Sequence, residues 1–550
     1  MFVVFAAAAS VAQAQEAAPP PAAAPASAAA PAPLPADQAA FKSHVLFLAS
    51  DQMRGREAGS AEYDIAAQYV ASQFHAAGLQ PAGDAGSYLQ KVPLVSYRPS
   101  DKGSFAVSAA GGAATPLTWG EDYLPGANPA QANTQVDAPV VFVGYGVVAP
   151  QIGRDDYAGV DVRGKIVAIV PGAPANLNGE ERAHLGNGRN KAVIAAQKGA
   201  VGIITLQSPP AEAARPFARQ AEHWQDARMT WAHPDGKGFI EAANTPGLAA
   251  ISTAGAARLF GGASAWAKAA RGVDARRFRA RELPVRLRAS FATEIKPATS
   301  YNVAGLLPGS DPALSAEVVV LTAHLDHVGV GAPNKAGDTI YNGAMDNAVG
   351  IASLIEEARR FKAAGTAPKR SVMFVAVTAE EKGLVGSDYF ARHPTVAKER
   401  LVANVNLDMP IITYKFTDVI AFGSDRTTLG PIVRRAAADA GATFSPDPMP
   451  DQGLFVRSDH YRFVQQGVPS VFLWPGKGGP GGAAVDAFFA QHYHQPSDAV
   501  EQTPAIDWES GTRFVNVNYQ IARDIADAPE RPRWNKGDYF GLLYEGVGAK

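Results

Sequence analysis

Imidazole and carboxylate side chains follow a series of apolar runs in the second half of the chain. They are His324 and Asp326 after VVVLTA, Asp346 in MDNAVG, Glu380 and Glu381 after VMFVAVTA, Asp408 after VANVNL, and His494 in HYHQPSD. Such nitrogen and oxygen donors, gathered at strand ends, can hold two zinc ions and leave one acid as a general base. The pattern predicts a metal-dependent hydrolase. Cysteine is absent, so no thiolate can be a ligand, and Co²⁺ or Mn²⁺ could bind in place of zinc.

The elements that must position these residues are strands. The runs EVVVLTAHL, SVMFVAVTAE, LVANVNLD and VPSVFLWPG are typical of parallel strands buried on both faces. Helical patterns such as NAVGIASLIEEARRFKAAG lie between them, which favours βαβ units and a doubly covered sheet. Ligands of such sheets bind outside the carboxyl ends of the strands. We therefore expect these acids and histidines to meet at one edge.

Composition limits the partners. The chain has 550 residues, of which 47% are hydrophobic and 19% charged, with a net charge of −2. This length favours two domains with accessory segments. The nearly balanced charge lacks the excess of basic residues that is typical of nucleic-acid-binding proteins, so no nucleic-acid partner is expected.

The N-terminus resembles an export signal. An apolar stretch, FVVFAAAASVA, precedes the A-x-A site Ala12-Gln13-Ala14, which predicts a signal peptide over residues 1–14. No Lys or Arg precedes the stretch, which favours a signal whose first residues lie upstream. The stretch is short for a membrane span, so we expect a periplasmic or secreted protein that is free of the membrane after cleavage.

The rest of the chain divides into segments that differ in composition and in hydrophobic periodicity. We predict an Ala/Pro-rich linker over 15–37, a first catalytic segment over 38–134, and an inserted α/β module over 135–292. A second catalytic segment follows over 293–528. Residues 529–550 form a C-terminal tail with no clear periodicity.

Six motifs, in this order, resemble those of the co-catalytic di-zinc aminopeptidases of clan MH. They are AHLDHVG, GAMDNAVG, AEEKGLVGS, NLDM, SDHYRF and YHQPSD. This superfamily includes bacterial leucyl aminopeptidases, glutamate carboxypeptidase and the transferrin receptor. The stretches VGYGV, DYAGVDVRGKIVAIVPG and GAVGIITL resemble a protease-associated domain. The resemblance implies a phosphorylase/hydrolase-like, three-layer αβα catalytic domain with a mostly parallel sheet and a smaller α/β insert.

The resemblance also implies a role for each residue. Asp346 would bridge two zinc ions, Glu381 and His494 would complete one site, and His324 and Asp408 the other. Glu380 would be the general base of hydrolysis through a bridging hydroxide, with peptides that have a free N-terminus as substrates.

Neighbouring residues receive lesser roles. Asp326, two residues beyond His324, is expected to accept the second imidazole N–H. His327 and His492 are each near a proposed ligand in the sequence and are interpreted as residues that lie beside the ligands or at the surface. Asp459 and His460 match an element that builds the substrate pocket in the family, but a capped loop before a helix explains them equally well.

Three alternatives stay open beside an exported zinc aminopeptidase. A carboxypeptidase or dipeptidase of the same superfamily would use the same metals. A glutaminyl cyclase-like transferase would hold one zinc, and the presence of both His324 and Asp408 argues against it. A non-enzymatic binding protein, as among the receptor members, would have lost ligands, whereas this chain has all five and the base.

Overall fold

The structure is a computed structural model that describes residues 33–109, 112–275 and 277–550. The predicted signal peptide and residues 15–32 of the predicted linker lie outside the described residues. Within the described part, no helix combines the length and apolarity needed to cross a membrane.

A mostly parallel sheet forms the centre of the two predicted catalytic segments, which together are named the catalytic part. Its four central strands are parallel and fully buried: Val318–His324, Ser371–Val377, Leu401–Leu407 and Ser470–Pro475. Val318–His324 lies between the second and third of them, and Ser470–Pro475 pairs with the third. An antiparallel strand, Asp418–Phe422, follows at one side and pairs with Thr443–Ser445. The predicted α/β class is confirmed.

Helices cover both faces of this sheet. Leu321 packs with the helices Ala61–Ala76 and Val349–Ala363 on one face, whereas its neighbour Val320 packs with Val385–Arg392 on the other. Successive side chains of a strand point to opposite faces, so the continuous apolar runs reflect burial on both sides.

One strand of 27 residues, Arg281–Leu307, joins this sheet to a second one. Its last part pairs with Leu89–Pro99 and then with Ser371–Val377. Its first part pairs with Ser104–Ala109 and Asn133–Phe142. The long strand therefore belongs to both sheets.

The second sheet starts earlier in the chain than the insert predicted from residue 135. Its other strands are Thr115–Pro116, Tyr123–Pro125, Ile166–Ile169, Gly202–Leu206 and Gly247–Ile251. Segment 104–125 belongs to this sheet because it pairs with distant strands, which its local pattern does not reveal. The chain also returns to the catalytic sheet at Arg228–Trp231, which pairs with Leu89–Pro99. That this unit is a protease-associated domain stays a prediction.

The remaining elements complete the layers. The other helices are Ala36–Leu48, Gly179–Gly186, Gly188–Gln197, Pro209–Ala214, Phe217–Glu222, Thr253–Phe260, Ala263–Arg271, Leu429–Asp439, His460–Val464, Gly481–Gln491, Trp508–Asp527 and Tyr539–Leu543. The other short strands are Gln80–Pro81, Val148–Ala149, Arg154–Asp155, Gly329–Val330 and Ile340–Tyr341. The C-terminal tail is packed against the core, since Trp534 is buried and its indole N–H donates to the carbonyl of Gly467 at 2.8 Å.

Candidate metal centre

The predicted ligands converge at the carboxyl ends of the central strands. His324 is the last residue of its strand, Glu380 and Glu381 follow Ser371–Val377 after two residues, and Asp408 follows Leu401–Leu407 directly. Parallel strands in register bring their ends to the same edge, because His324 pairs with Val377 across the ladder. The sheet itself therefore gathers these side chains.

A first cluster consists of His324, Asp346 and Asp408. Nε2 of His324 lies 3.0 Å from Oδ1 of Asp408 and 3.2 Å from Oδ1 of Asp346. All three residues are buried, and their ligand atoms lie within 4.8 Å of one another.

A second cluster shares Asp346 with the first. Nε2 of His494 lies 3.3 Å from the other carboxylate oxygen of Asp346 and 3.1 Å from Oε2 of Glu381. The His494 side chain is 38% exposed and opens the cluster toward solvent. Asp346 thus faces one group of ligands with each of its oxygens.

His327, predicted to lie beside a ligand or at the surface, contacts this second cluster, and its ligand atom lies within 4.8 Å of those of Asp346 and Glu381. It is fully buried, and its Nδ1 lies 2.7 Å from Oε1 of Glu381 and 4.0 Å from Asp346. The signal in the sequence was the third donor of AHLDH, three residues beyond His324. His492, in contrast, faces the carbonyl oxygens of Ser497 and Thr503 at 3.0 Å each, within its own loop.

Asp326 supports the site, but its carboxylate does not accept the imidazole N–H of His324 as predicted. Its carboxylate accepts main-chain N–H groups of Glu380 at 3.0 Å and Glu381 at 3.3 Å. Nδ1 of His324 instead lies 3.1 Å from the main-chain carbonyl oxygen of Asp326. A proton on Nδ1 would therefore be held by that carbonyl and leave Nε2 free to face the acids.

Two residues that had no predicted role support the site. Asp498 accepts main-chain N–H groups of Met345 at 2.8 Å and Asp346 at 3.0 Å. The side-chain amide of Asn347 donates to the main-chain carbonyl of Leu407 at 3.0 Å and so links the segment after Asp346 to the end of the strand Leu401–Leu407. The Asp346–Asn347 peptide bond is cis. Asp498 stands in the quoted YHQPSD motif, so its position was the available signal.

Burial and crowding of acids dominate the electrostatics. Burial raises the pKa of Glu380 well above its usual range, and the charges of Asp408 and Glu381 add to this while His324 opposes it. Burial also raises the pKa of Asp326 to about 6. Burial opposes ionisation of Asp346 too, but its contacts with His324 and His494 outweigh burial and hold its pKa far below the usual range. A cation among these acids would favour their ionised forms.

A narrow cavity of about 50 Å³ opens beside the clusters. Its lining combines three of the site acids and His494 with apolar and polar walls: Asp346, Glu380, Asp408, Met409, Leu454, Arg457, Ser458, Phe472, Trp474, Phe489, Tyr493 and His494. Glu380 therefore faces the cavity without belonging to either ligand cluster. Asp459 and His460 are fully buried and lie outside this lining, because the chain turns inward after Ser458 to begin the helix His460–Val464.

The side chains of the two clusters are suitable ligands for metal ions. Carboxylate oxygens and imidazole nitrogens are the ligands that zinc takes when no thiolate is present. Among the described residues, neither Nδ1 of His327 nor Oε1 of Glu381 has a well-aligned hydrogen bond, although both atoms are buried. A cation bound between them would relieve the cost of leaving two buried polar atoms unsatisfied.

The fold and these clusters define an α/β protein with two groups of potential metal ligands at the carboxyl edge of a parallel sheet. Residues 302–522, which include every predicted ligand, match the profile of peptidase family M28. Over this part, which is less than half of the chain, the sequence is similar to that family.

Individual relatives are more distant. Over 219 residues the chain is 30% identical to leupeptin-inactivating enzyme 1 of Streptomyces exfoliatus, covering 37% of this chain and 44% of that protein. It is 28% identical to aminopeptidase YwaD of Bacillus subtilis, covering 37% and 40% of the two chains. An aminopeptidase structure from Aneurinibacillus sp. strain AM-1 shares 19% identity, with a TM-score of 0.48 and coverage of 90% and 95%. The matches thus span less than half the length of these curated relatives.

Proposed function

We propose that the protein is an exported zinc-dependent aminopeptidase that removes residues from the free N-terminus of peptides. The observation that carries this proposal is the shared Asp346 between two ligand clusters, with the half-buried acid Glu380 beside them on the cavity wall. The match of residues 302–522 to the profile of a peptidase family supports it.

The proposed ligand sets use the residues that meet at the sheet edge. Asp346 would contact both ions, His324 and Asp408 would hold one, and Glu381 and His494 the other. His327 lies beside the second set. When bound, the zinc ions would polarise the scissile carbonyl and acidify the attacking water.

The chain's own residues would then move the proton. Glu380 would take a proton from the attacking water and deliver it to the departing amine. Asp326 holds the main-chain N–H of Glu380 at 3.0 Å, so it positions this acid. Asp346 lines the cavity, and its carboxylate, with that of Glu381 beside it, would also attract the free α-ammonium group of the substrate.

The test is hydrolysis of a panel of aminoacyl-nitroanilides and their N-acetylated controls, with and without a chelator, by wild type and Glu380→Gln. We expect cleavage of free-amine substrates only, abolished by the chelator, and a loss of about 10²–10⁴-fold in kcat in the variant. Zinc content, measured by elemental analysis, should be unchanged in the variant because Glu380 is not a ligand.

The exposed Glu399→Gln is the matched control and should behave like wild type. Cleavage of N-acetylated peptides from the carboxyl end would replace the proposal with a carboxypeptidase. Full activity of Glu380→Gln would remove the proposed base.

Export forms a separate part of the proposal. It rests on the apolar stretch and the Ala12-Gln13-Ala14 site. N-terminal sequencing of the protein from medium and periplasmic fractions should find Gln15 as the first residue, whereas an uncleaved cytoplasmic chain would contradict it.

A further inference from the structure

Arg457 lies at the border of two cavities. It lines the catalytic cavity of about 50 Å³ and also a neighbouring cleft of about 460 Å³. The far wall of this cleft is formed by residues 172–187 of the insert. Of the lining residues, Arg457 is the one that the two cavities share.

The charge of Arg457 is unbalanced. The other charged residues of the cleft, Arg182 and Asp451, pair with each other at 2.6 Å. The Arg457 side chain is exposed. In the described part of the chain, no carboxylate lies within 4.0 Å of it. The cleft therefore presents one uncompensated guanidinium next to the site.

The size of the catalytic cavity directs the substrate past this residue. Next to the acids there is room for a small group only, and the walls at Leu454, Phe472 and Trp474 are apolar and buried. The larger space lies beyond Arg457. A peptide held at the clusters would therefore extend its remaining part along the Arg457 side chain into the cleft.

We propose that Arg457 binds a carboxylate of the substrate on the leaving side of the scissile bond, so that the preferred substrates are short peptides bearing a carboxylate there. The group is either the terminal carboxylate of a dipeptide or tripeptide or an acidic side chain. A guanidinium binds either group by donating two parallel N–H···O hydrogen bonds to its carboxylate oxygens. This inference rests on the proposed function and names its substrate class.

The test compares matched substrates in one enzyme, with X as the aminoacyl group preferred in the nitroanilide panel. X-Gly is compared with X-Gly-amide, and X-Glu-amide with X-Gln-amide. We expect wild type to favour the carboxylate form of at least one pair about tenfold in kcat/KM, the size of one charge-assisted hydrogen bond at a partly exposed site. The first pair identifies a terminal carboxylate and the second an acidic side chain.

In Arg457→Gln the ratio of kcat/KM between the carboxylate substrate and its uncharged partner should fall to about one. Arg457→Lys should keep part of this ratio, because the positive charge stays while the two parallel N–H donors are lost. Arg219→Gln is the control, since Arg219 is exposed and lines neither cavity, and it should keep the ratio. Melting temperature and zinc content verify that each variant is folded and loaded.

Two results would overturn the inference alone. If wild type cleaves the nitroanilides but treats both members of each pair equally, the role of Arg457 fails while the aminopeptidase proposal stands. If the ratio persists in Arg457→Gln, another group binds the carboxylate. Absence of any cleavage of free-amine substrates would instead overturn the proposed function, and this inference with it.

Discussion

Glu381 is approached by two imidazoles, one at each of its oxygens. His327 faces Oε1 at 2.7 Å and His494 faces Oε2 at 3.1 Å. His494 is partly open to solvent, whereas His327 is fully buried. His327 therefore fixes the orientation of the carboxylate from the protein side, or binds the cation with it.

We predict that His327→Gln weakens zinc binding by about 10- to 100-fold, since residues around a metal ligand commonly contribute that much. The measurement is competition for zinc with a chromophoric chelator. The control is His44→Gln, which also removes a buried imidazole beside a carboxylate, Glu356 at 3.0 Å, outside the site. Equal zinc affinity in both variants would show that His327 has no part in the centre.

At the scale of elements, Arg426 ties the insert and the tail to the catalytic part. It forms an ion pair with Glu180 in the first turn of the helix Gly179–Gly186. It also lies 2.8 Å from Asp538, the residue that caps the helix Tyr539–Leu543. All three side chains are largely buried, so the guanidinium compensates two acids from separate segments.

Arg426→Gln should lower the free energy of unfolding by about 3 kcal/mol, because removing one partner leaves buried charges uncompensated. Hydrogen exchange should rise first in residues 179–186 and 534–549. Arg435→Gln, which breaks an exposed pair with Asp524 at 3.1 Å, should cost less than about 1 kcal/mol. Similar losses of unfolding free energy in the two variants would mean that the ion pairs of Arg426 add little to stability.

At the scale of the whole molecule, His184 lies where the insert, the catalytic part and the tail meet. Its ring contacts those of Tyr461, Tyr539, Phe540 and Tyr544, and Asn190 donates to its Nδ1 at 3.0 Å. This burial lowers the pKa of His184 to about 4. The folded protein thus keeps the ring neutral under conditions in which the unfolded chain would protonate it.

We therefore predict a loss of stability in acid. Above pH 6.5 the ring is neutral in both states; as pH falls toward 4, only the unfolded chain takes up the proton, so unfolding becomes easier by up to about 3 kcal/mol. Melting temperatures of wild type and His184→Gln from pH 7.5 to 4 test this. The variant should lose less on acidification, and parallel curves would contradict the assignment.

Much of the site was predictable because its residues follow directly from strand ends. A continuous apolar run such as VVVLTAH can be recognised locally, and parallel pairing then places His324, Glu380, Glu381 and Asp408 at one edge whatever the rest of the chain does. Asp346 and His494 came from motifs, since neither ends a strand.

Other features depended on contacts between distant segments. The inward direction of His327 requires space at Gly343, where a Cβ would lie 2.6 Å from the imidazole ring, and no local pattern shows that. Membership of 104–125 in the second sheet depends on pairing with the long strand and its neighbours. The tail packs because Trp534 occupies space beside Gly546.

The sequence alone thus determined the chemistry of the donors, the α/β class and the edge at which the donors meet, since these follow from residue type and from short periodic patterns. Only the tertiary structure decided that His327 as well as His494 faces Glu381, that the main-chain carbonyl of Asp326 faces Nδ1 of His324, and that Arg457 lies between two cavities. Side-chain directions after a strand and packing between segments far apart in the chain depend on the whole fold, which local spacing does not specify.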